Sequence, residues 1–246
     1  MSEQVEKLKL LKGDCLQILS EIPDKSIDMV CADLPYGTTQ CKWDTVIDLQ
    51  QLWQHYKRIM KDRGVIVLHA QTPFDKVLGA SNLQMLRYEW IWEKTAATGH
   101  LNAKKMPMKA HENILVYYSE LPKYRPQKTT GHSRKVNTAE HKRNSLKTEC
   151  YGEHGLTGYD STERYPRSVL QFPTDKQTCS LHPTQKPLAL IEYLVRTYTD
   201  EGDTVLDNCM GSGTTGVACK NLKRNFIGIE LEDSYFSIAT DRIAAA

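Results

Sequence analysis

Thr204-Val205-Leu206-Asp207-Asn208-Cys209-Met210-Gly211-Ser212-Gly213-Thr214-Thr215-Gly216 is the stretch whose reading decides the fold. Thr204 to Leu206 is a short apolar run and reads as a buried strand. It opens onto a loop with glycine at 211, 213 and 216, and a helix follows through Val217 to Leu222. Glycine lets backbone N–H groups approach a ligand at a helix start, where the helix dipole also favours an acceptor. A second strand, Asn225 to Ile229, ends at Glu230. That acid stands roughly 20 residues after Gly211, the separation expected for a carboxylate that grips ribose hydroxyls. Strand, loop, helix and strand in this order describe a unit for a nucleoside cofactor. The same glycines also suit a tight turn that packs helix against strand. Taken alone, the loop would fit a NAD-dependent oxidoreductase as well.

Outward from this unit, the pattern repeats. Lys9 to Lys12 reads as a strand, and Leu16, Leu19 and Ile22 space like one helical face stopped by Pro23. Ile27 to Ala32 is a buried strand. Leu49, Leu52, Trp53, Tyr56 and Ile59 predict an amphipathic helix over about 48–62. Gly64 to His69 is the next strand, and 73–84 a helix opening on Pro73. Leu86 to Lys94 and Ile114 to Tyr118 read as an antiparallel pair at a sheet edge. Leu190, Leu194 and Val195 share one helical face, and Tyr235 to Ile243 is a closing helix. Alternating strands and helices predict a doubly wound, mostly parallel α/β sheet. From about 120 to 180 the periodicity fades into Pro, Gly, Ser, Thr and basic residues, which predicts an inserted region. The expected organisation is therefore 1–119, an insertion over 120–180, and 181–246.

The strand at 27–32 runs straight into Asp33-Leu34-Pro35-Tyr36-Gly37. Proline fixes its own φ and pushes Leu34 toward extended geometry. A carboxylate, a stiffened turn and an aromatic ring suit a planar group carrying an exocyclic NH2. The carboxylate and a nearby carbonyl can accept its two protons, and the ring can stack on its face. The bland alternative is a strand-end turn with a solvated Asp.

Asp33-Leu-Pro-Tyr36 resembles the Asp-Pro-Pro-Tyr amine motif of the amino-group DNA methyltransferases, with Leu34 in place of the usual Pro. Asp207-Asn-Cys-Met-Gly-Ser-Gly-Thr-Thr215 is similar to their S-adenosylmethionine loop. The amine motif comes before the cofactor loop, as in the circularly permuted β group of the family. Lys9-Leu-Leu-Lys-Gly-Asp14 with Ile22-Pro and Ser26-Ile-Asp28 resembles the segment that reaches the cofactor's adenine. Met60-Lys-Asp-Arg-Gly64-Val-Ile, Trp92-Glu-Lys94, His111-Glu-Asn-Ile-Leu-Val116 and His182-Pro-Thr-Gln-Lys-Pro187 resemble further family segments. The resemblance covers about 8–119 and 180–243.

The resemblance implies a seven-stranded Rossmann-like methyltransferase sheet with an inserted target-recognition region. It implies S-adenosyl-L-methionine as cofactor, S-adenosyl-L-homocysteine as product, and no metal. Asp33, the Leu34 carbonyl, Pro35 and Tyr36 would act on the target amine. Asp14, Cys15, Asp33, Lys186, Asp207, Cys209, Gly211, Gly213, Thr214, Thr215 and Glu230 would bind the cofactor, with Lys186 approaching its carboxylate. The target would be adenine N6 in double-stranded DNA, since the first motif position is Asp in most adenine enzymes and Ser in most cytosine-N4 enzymes. Cytosine N4, an RNA or protein amide, and a non-catalytic nucleic-acid binder of the same fold are the rivals.

Composition bounds these readings. A chain of 246 residues, 40% hydrophobic and 25% charged, holds one large domain with room for an insertion. Polar Met1-Ser2-Glu3-Gln4 is no signal peptide, and no apolar run approaches the roughly 18 residues of a membrane span. Seven cysteines without C-x-x-C favour a reducing cytoplasm, and the family resemblance implies that of a prokaryotic cell or phage-infected host. Net charge is +2, yet Lys123, Arg125, Lys128, Arg134, Lys135, Lys142, Arg143 and Lys147 face only Glu140 within their stretch. That cluster is expected to bind DNA phosphates, with a solvated loop as the alternative. The assembly is a monomer or a homodimer, and restriction-modification is the expected setting. Trp90, Trp92, His111 and His182 read as packing residues. Trp43 reads equally as a lining of the target pocket or a loop plug.

Overall fold

In the computed structural model of the chain, residues 7–38, 44–139, 158–174 and 185–246 are described. The chain divides into two compact units, one of Met1–Arg125 with Ser168–Ala246 and one of Pro126–Arg167.

The larger unit carries an eight-stranded sheet in the order β1-β10-β9-β2-β3-β5-β4-β8. Its strands are β1 (Leu8–Lys12), β2 (Ile27–Asp33), β3 (Met60–Ala70), β4 (Leu86–Thr98), β5 (Lys109–Tyr117), β8 (Val169–Phe172), β9 (Thr204–Asp207) and β10 (Asn225–Glu230). Every pairing is parallel except those of β5 with β3 and β4. The antiparallel pair is therefore present, and seven strands become eight because β8 adds to β4. Val169–Phe172 lies inside the stretch read as insertion, and four residues are too few to show a period in the sequence.

Among the described residues, six α-helices flank the strands: α1 (Cys15–Glu21), α2 (Leu49–Ile59), α3 (Phe74–Ser81), α4 (Leu188–Tyr198), α5 (Thr214–Asn221) and α6 (Asp233–Ala245). Helix α2 starts where the Asp48 carboxylate accepts from the Gln50 and Gln51 N–H groups. It buries Leu52, Trp53, Tyr56 and Ile59, the face its spacing predicted. Successive strand residues point to opposite sides. Met29, Cys31, Val65, Val67, Ile114 and Val116 form one core with α4 and α5. Val30, Ala32, Ile66 and Leu68 form the other with α1, α2 and α3. Trp90 and Trp92 share the first face, 4% and 2% exposed, with their indole N–H groups on Tyr198 and the Phe172 carbonyl. Both are packing residues, as the sequence suggested.

The smaller unit contains β6 (Lys135–Asn137) paired antiparallel with β7 (Tyr159–Ser161). Among the described residues, no helix is long and apolar enough to cross a membrane.

Candidate active site

Strands β9 and β2 are neighbours, and their continuations diverge: β10 and β1 lie on one side, β3 on the other. In open parallel sheets this switch point leaves a crevice at the strands' carboxyl ends, where ligands bind. Asp207 ends β9 and Asp33 ends β2, so two carboxylates flank the crevice. A cavity of about 670 Å³ opens there, within the range of small-molecule sites. Every cofactor residue expected from the sequence except Gly213 lines it, together with Asp33, Leu34, Pro35 and Tyr36.

The β9–α5 loop is held from below. Glu230 accepts from the Gly211 N–H at 2.8 Å and from the Glu232 N–H at 2.9 Å. Each oxygen keeps a lone pair for another donor. Asp207 accepts from the Thr215 hydroxyl at 2.7 Å and the Cys209 N–H at 3.1 Å. Burial raises its pKa to about 7, against those two bonds and with the Asp33 and Glu230 charges adding to the shift. Asp14 caps α1 by accepting from the Leu16 and Gln17 N–H groups. Tyr56 donates from α2 to the Asn208 side chain at 2.6 Å.

Gly213 is the member of the expected set that lies outside the lining. Its φ is +77°, and a Cβ there would lie 3.0 Å from Ala239 and Ile243 of α6. It turns the chain and admits the last helix; it does not face the cavity. A Cβ on Gly216 would likewise meet Ile243 and Phe226. Of the three glycines, Gly211 alone lines the cavity.

On the other side, Asp33 is held by both oxygens. Tyr36 donates its hydroxyl to Oδ1 at 2.5 Å, and Lys186 donates to Oδ2 at 2.6 Å. The Tyr36 ring stacks on Phe74 with centroids 5.2 Å apart, and burial followed by the Asp33 charge keeps its hydroxyl protonated. Asp44, 8% exposed, accepts from the Gly37 and Thr38 N–H groups and so fixes the turn.

Lys186 lines the cavity and is paired within the chain. Its ammonium bridges Asp33 and Glu112, the latter at 3.1 Å, and Glu112 also pairs with Lys94 at 2.6 Å. Carboxylates of this chain thus occupy the charge assigned to a cofactor carboxylate. Burial alone would lower the Lys186 pKa, but the two carboxylates outweigh it and raise it. Burial likewise works against ionising Glu112, and Lys186 with Lys94 holds it at about 2. His69, in register with Asp33 across β2 and β3, lies beside this chain of charges. It is 1% exposed, lines the cavity, and neither ring nitrogen has a partner among the described residues. Burial, then the Lys186 charge, lowers its pKa to about 4. Sequence reasoning missed His69, Glu112 and Lys94, whose roles arise from register between distant strands, and Asp44, which braces the turn just before it. Trp43 and His182 lie outside the described residues, and His111 is exposed on β5.

The basic cluster is less free than its count suggested. Lys123 pairs with Asp203 and Asp200, and Arg125 with Asp200, all within the larger unit. In the smaller unit, Lys128 pairs with Glu163 and Arg134 with Asp160. Lys135 is exposed on β6, and Lys142, Arg143 and Lys147 lie outside the described residues. Lys135 also borders a hollow of about 380 Å³ in the smaller unit, with Tyr159, Tyr165, Arg164 and Arg167.

A glycine loop and acidic strand end on one side of a switch point, with an Asp-Leu-Pro-Tyr turn on the other, define a Rossmann-like methyltransferase. The chain belongs to the DNA methylase family, whose model of N6 and N4 enzymes matches residues 27–241. It is similar to the type II methyltransferase M.HinfI of Haemophilus influenzae, 27% identical over 95% of this chain and 67% of that one. It is 29% identical to M.BglII of Bacillus subtilis over 94% of this chain and 67% of that one. Among solved structures it resembles the M1.HpyAVI complex with SAM, with a TM-score of 0.65 and 25% identity over 96% and 99% of the two chains. It also shares its fold with the cytosine-N4-specific PvuII DNA methyltransferase, with a TM-score of 0.67 and 16% identity over 98% and 94%.

Proposed function

We propose that the protein transfers a methyl group from S-adenosyl-L-methionine to the N6 amine of an adenine flipped out of double-stranded DNA. The observation that carries this reading is the shared cavity. The Asp33 carboxylate and the Glu230-braced loop line the same space, on opposite sides of the β9–β2 switch point. The donor set fits the cofactor. Glu230 has free lone pairs for a ribose diol, and Asp33, Asp207 and Glu230 make an acidic surround for a sulfonium cation. The cofactor, when bound, supplies an electrophilic methyl group with its own leaving group. The residues of this chain align acceptor and donor.

A ring-conjugated amine is a poor nucleophile. Asp33 and the Leu34 carbonyl accept its two protons, localise its lone pair, and meet the positive charge that develops on nitrogen. For the amine to reach Asp33 Oδ1, the Tyr36 hydroxyl gives up its bond, while Lys186 keeps Oδ2 fixed. The base leaves the duplex to enter the cavity. Asp at the first motif position favours adenine, because a carboxylate is a stronger acceptor than a hydroxyl. Cytosine N4 is the second reading, and the fold shared with the PvuII enzyme keeps it in view. Lys135 and Arg167, with Lys142, Arg143 and Lys147 of the same basic stretch, would meet DNA phosphates.

The test is methyl transfer from labelled S-adenosylmethionine to unmethylated DNA, followed by digestion to nucleosides. N6-methyladenine is expected as the product. N4-methylcytosine as the main product would overturn the base assignment, and unlabelled DNA would overturn the activity.

A further inference from the structure

A polar row crosses four adjacent strands on the face that packs against α4. It consists of Asp33 on β2, His69 on β3, Glu112 on β5 and Lys94 on β4, with Lys186 laid over it. Below it the same positions are apolar: Cys31, Val67, Ile114 and Trp92. Four of the five polar members are joined in one alternating chain of charges. His69 is the exception. It is almost wholly buried, yet both ring nitrogens lack a partner among the described residues.

A buried polar group without a partner is costly, and such a group in a cavity wall is explained by a ligand that satisfies it. The charged groups facing His69 are Asp33, Glu112 and Lys186, and they leave it a neutral imidazole with one N–H and one lone pair. Resting on the amine methylation proposed above, the ligand edge is defined. In adenine and cytosine alike, the target amine stands beside a ring nitrogen that is a hydrogen-bond acceptor. That nitrogen loses its Watson–Crick donor when the base is flipped. Asp33 and the Leu34 carbonyl take the amine's protons. The ring nitrogen then needs a donor one strand away, where β3 holds His69 in register with Asp33.

We propose that His69 donates its N–H to the ring nitrogen adjacent to the target amine, N1 of adenine or N3 of cytosine, and so fixes the flipped base in the plane for transfer. Asp33 alone lets the base pivot about its amine; a second hydrogen bond on the next atom of the same edge stops the pivot. The contact selects a base with an acceptor beside its amine, and it rejects guanine seated in the same pose, which puts a carbonyl at the amine position and a ring N–H where the acceptor belongs.

The test is a cycle of two changes, in the protein and in the base. A duplex bearing the methylated site, identified from mapped product, is compared with one carrying 1-deazaadenine at the target, or 3-deazacytosine if cytosine is the product. Each lacks the ring nitrogen and keeps the amine. Wild type is expected to lose roughly tenfold in kcat/KM on the deaza base, the scale of one buried polar group left unpaired. His69→Leu is expected to lose a similar factor on the ordinary base and nothing further on the deaza base. Its thermal midpoint should equal or exceed that of wild type, because an unpartnered polar group has been removed. His69→Asn, which keeps an N–H, should recover part of the loss. Losses that multiply, or a fully active His69→Leu, would overturn the proposal while leaving the methyltransferase reading intact. Should His69→Leu fail to fold, an undiminished wild-type rate on the deaza base overturns it instead. A wild-type chain that methylates no DNA overturns both.

Discussion

Lys186 donates to Asp33 at 2.6 Å across 153 positions of sequence, and the same ammonium reaches Glu112 at 3.1 Å. One cation therefore fixes the carboxylate proposed to receive the target amine and neutralises a second carboxylate behind it. Lys186→Met would leave Asp33 and Glu112 facing each other with only Lys94 as counter-ion. Stability should fall by about 3–5 kcal/mol, the cost of breaking a buried pair from one side. Urea unfolding measures this, and Lys186→Met with Glu112→Gln should regain part of it. A neutral result would show that the triad is not a buried ion cluster in solution.

Glu230→Ala should weaken S-adenosylmethionine binding by about 1.5–3 kcal/mol, the worth of hydrogen bonds to a charged acceptor. The same carboxylate holds the Gly211 and Glu232 N–H groups, so the thermal midpoint of the ligand-free chain should fall as well. Calorimetric affinity unchanged by the substitution would remove Glu230 from the ribose.

Gly213→Ala distinguishes the two readings of the glycine loop. A left-handed φ costs a residue with a side chain roughly 1–2 kcal/mol, and the new Cβ would press on Ala239 and Ile243. Stability should drop while cofactor affinity per folded molecule stays near that of wild type. A selective loss of affinity would return Gly213 to the binding surface.

This glycine shows where the sequence was legible and where it was not. The βαβ unit, the acid at the end of β10 and the Asp33 turn are local, so spacing and strand ends revealed them. The parallel character of most of the sheet follows from the same alternation of strands and helices. What Gly213 faces depends on α6, which begins 20 residues later in the chain. The polar row is harder still. His69 reads as an ordinary strand residue until register puts it beside Asp33, and Glu112 and Lys94 meet through an antiparallel pairing that no single segment encodes. Lys186 lay in a well-marked segment, but the sequence could not say which carboxylate it meets. The basic stretch misled in the opposite way, because Asp160, Glu163, Asp200 and Asp203, which pair with it, lie outside the counted window.

Asp207 gives a pH dependence of definite sign. Its folded pKa of about 7 lies above the ordinary aspartate value of 3.8. The folded chain therefore holds a proton that the unfolded chain has released, and this contribution is full below about 3.8 and lost as pH rises through about 7. His69 acts oppositely between its folded pKa of about 4 and the ordinary histidine value of 6.5. The comparison is thus best made between pH 6.5 and 8. Ligand-free wild type should lose urea stability over that interval relative to Asp207→Asn. Parallel curves for the two proteins would contradict the assignment.

DNA affinity should depend on salt, with a slope reduced by about 0.9 for each phosphate contact removed. Lys135→Ala with Arg167→Ala should flatten it. Lys123→Ala should leave it unchanged, because that ammonium is committed to Asp200 and Asp203. The reverse pattern would shift the phosphate surface from the smaller unit to the ion-paired segment of the larger one.

The most direct measurement is single-turnover methyl transfer to unmethylated DNA by wild type and Asp33→Ala, with cofactor affinity determined for both. The account predicts transfer to an exocyclic amine by wild type, and no detectable transfer by the variant even at cofactor concentrations that saturate it. An Asp33→Ala chain that transfers methyl at the wild-type rate would contradict it.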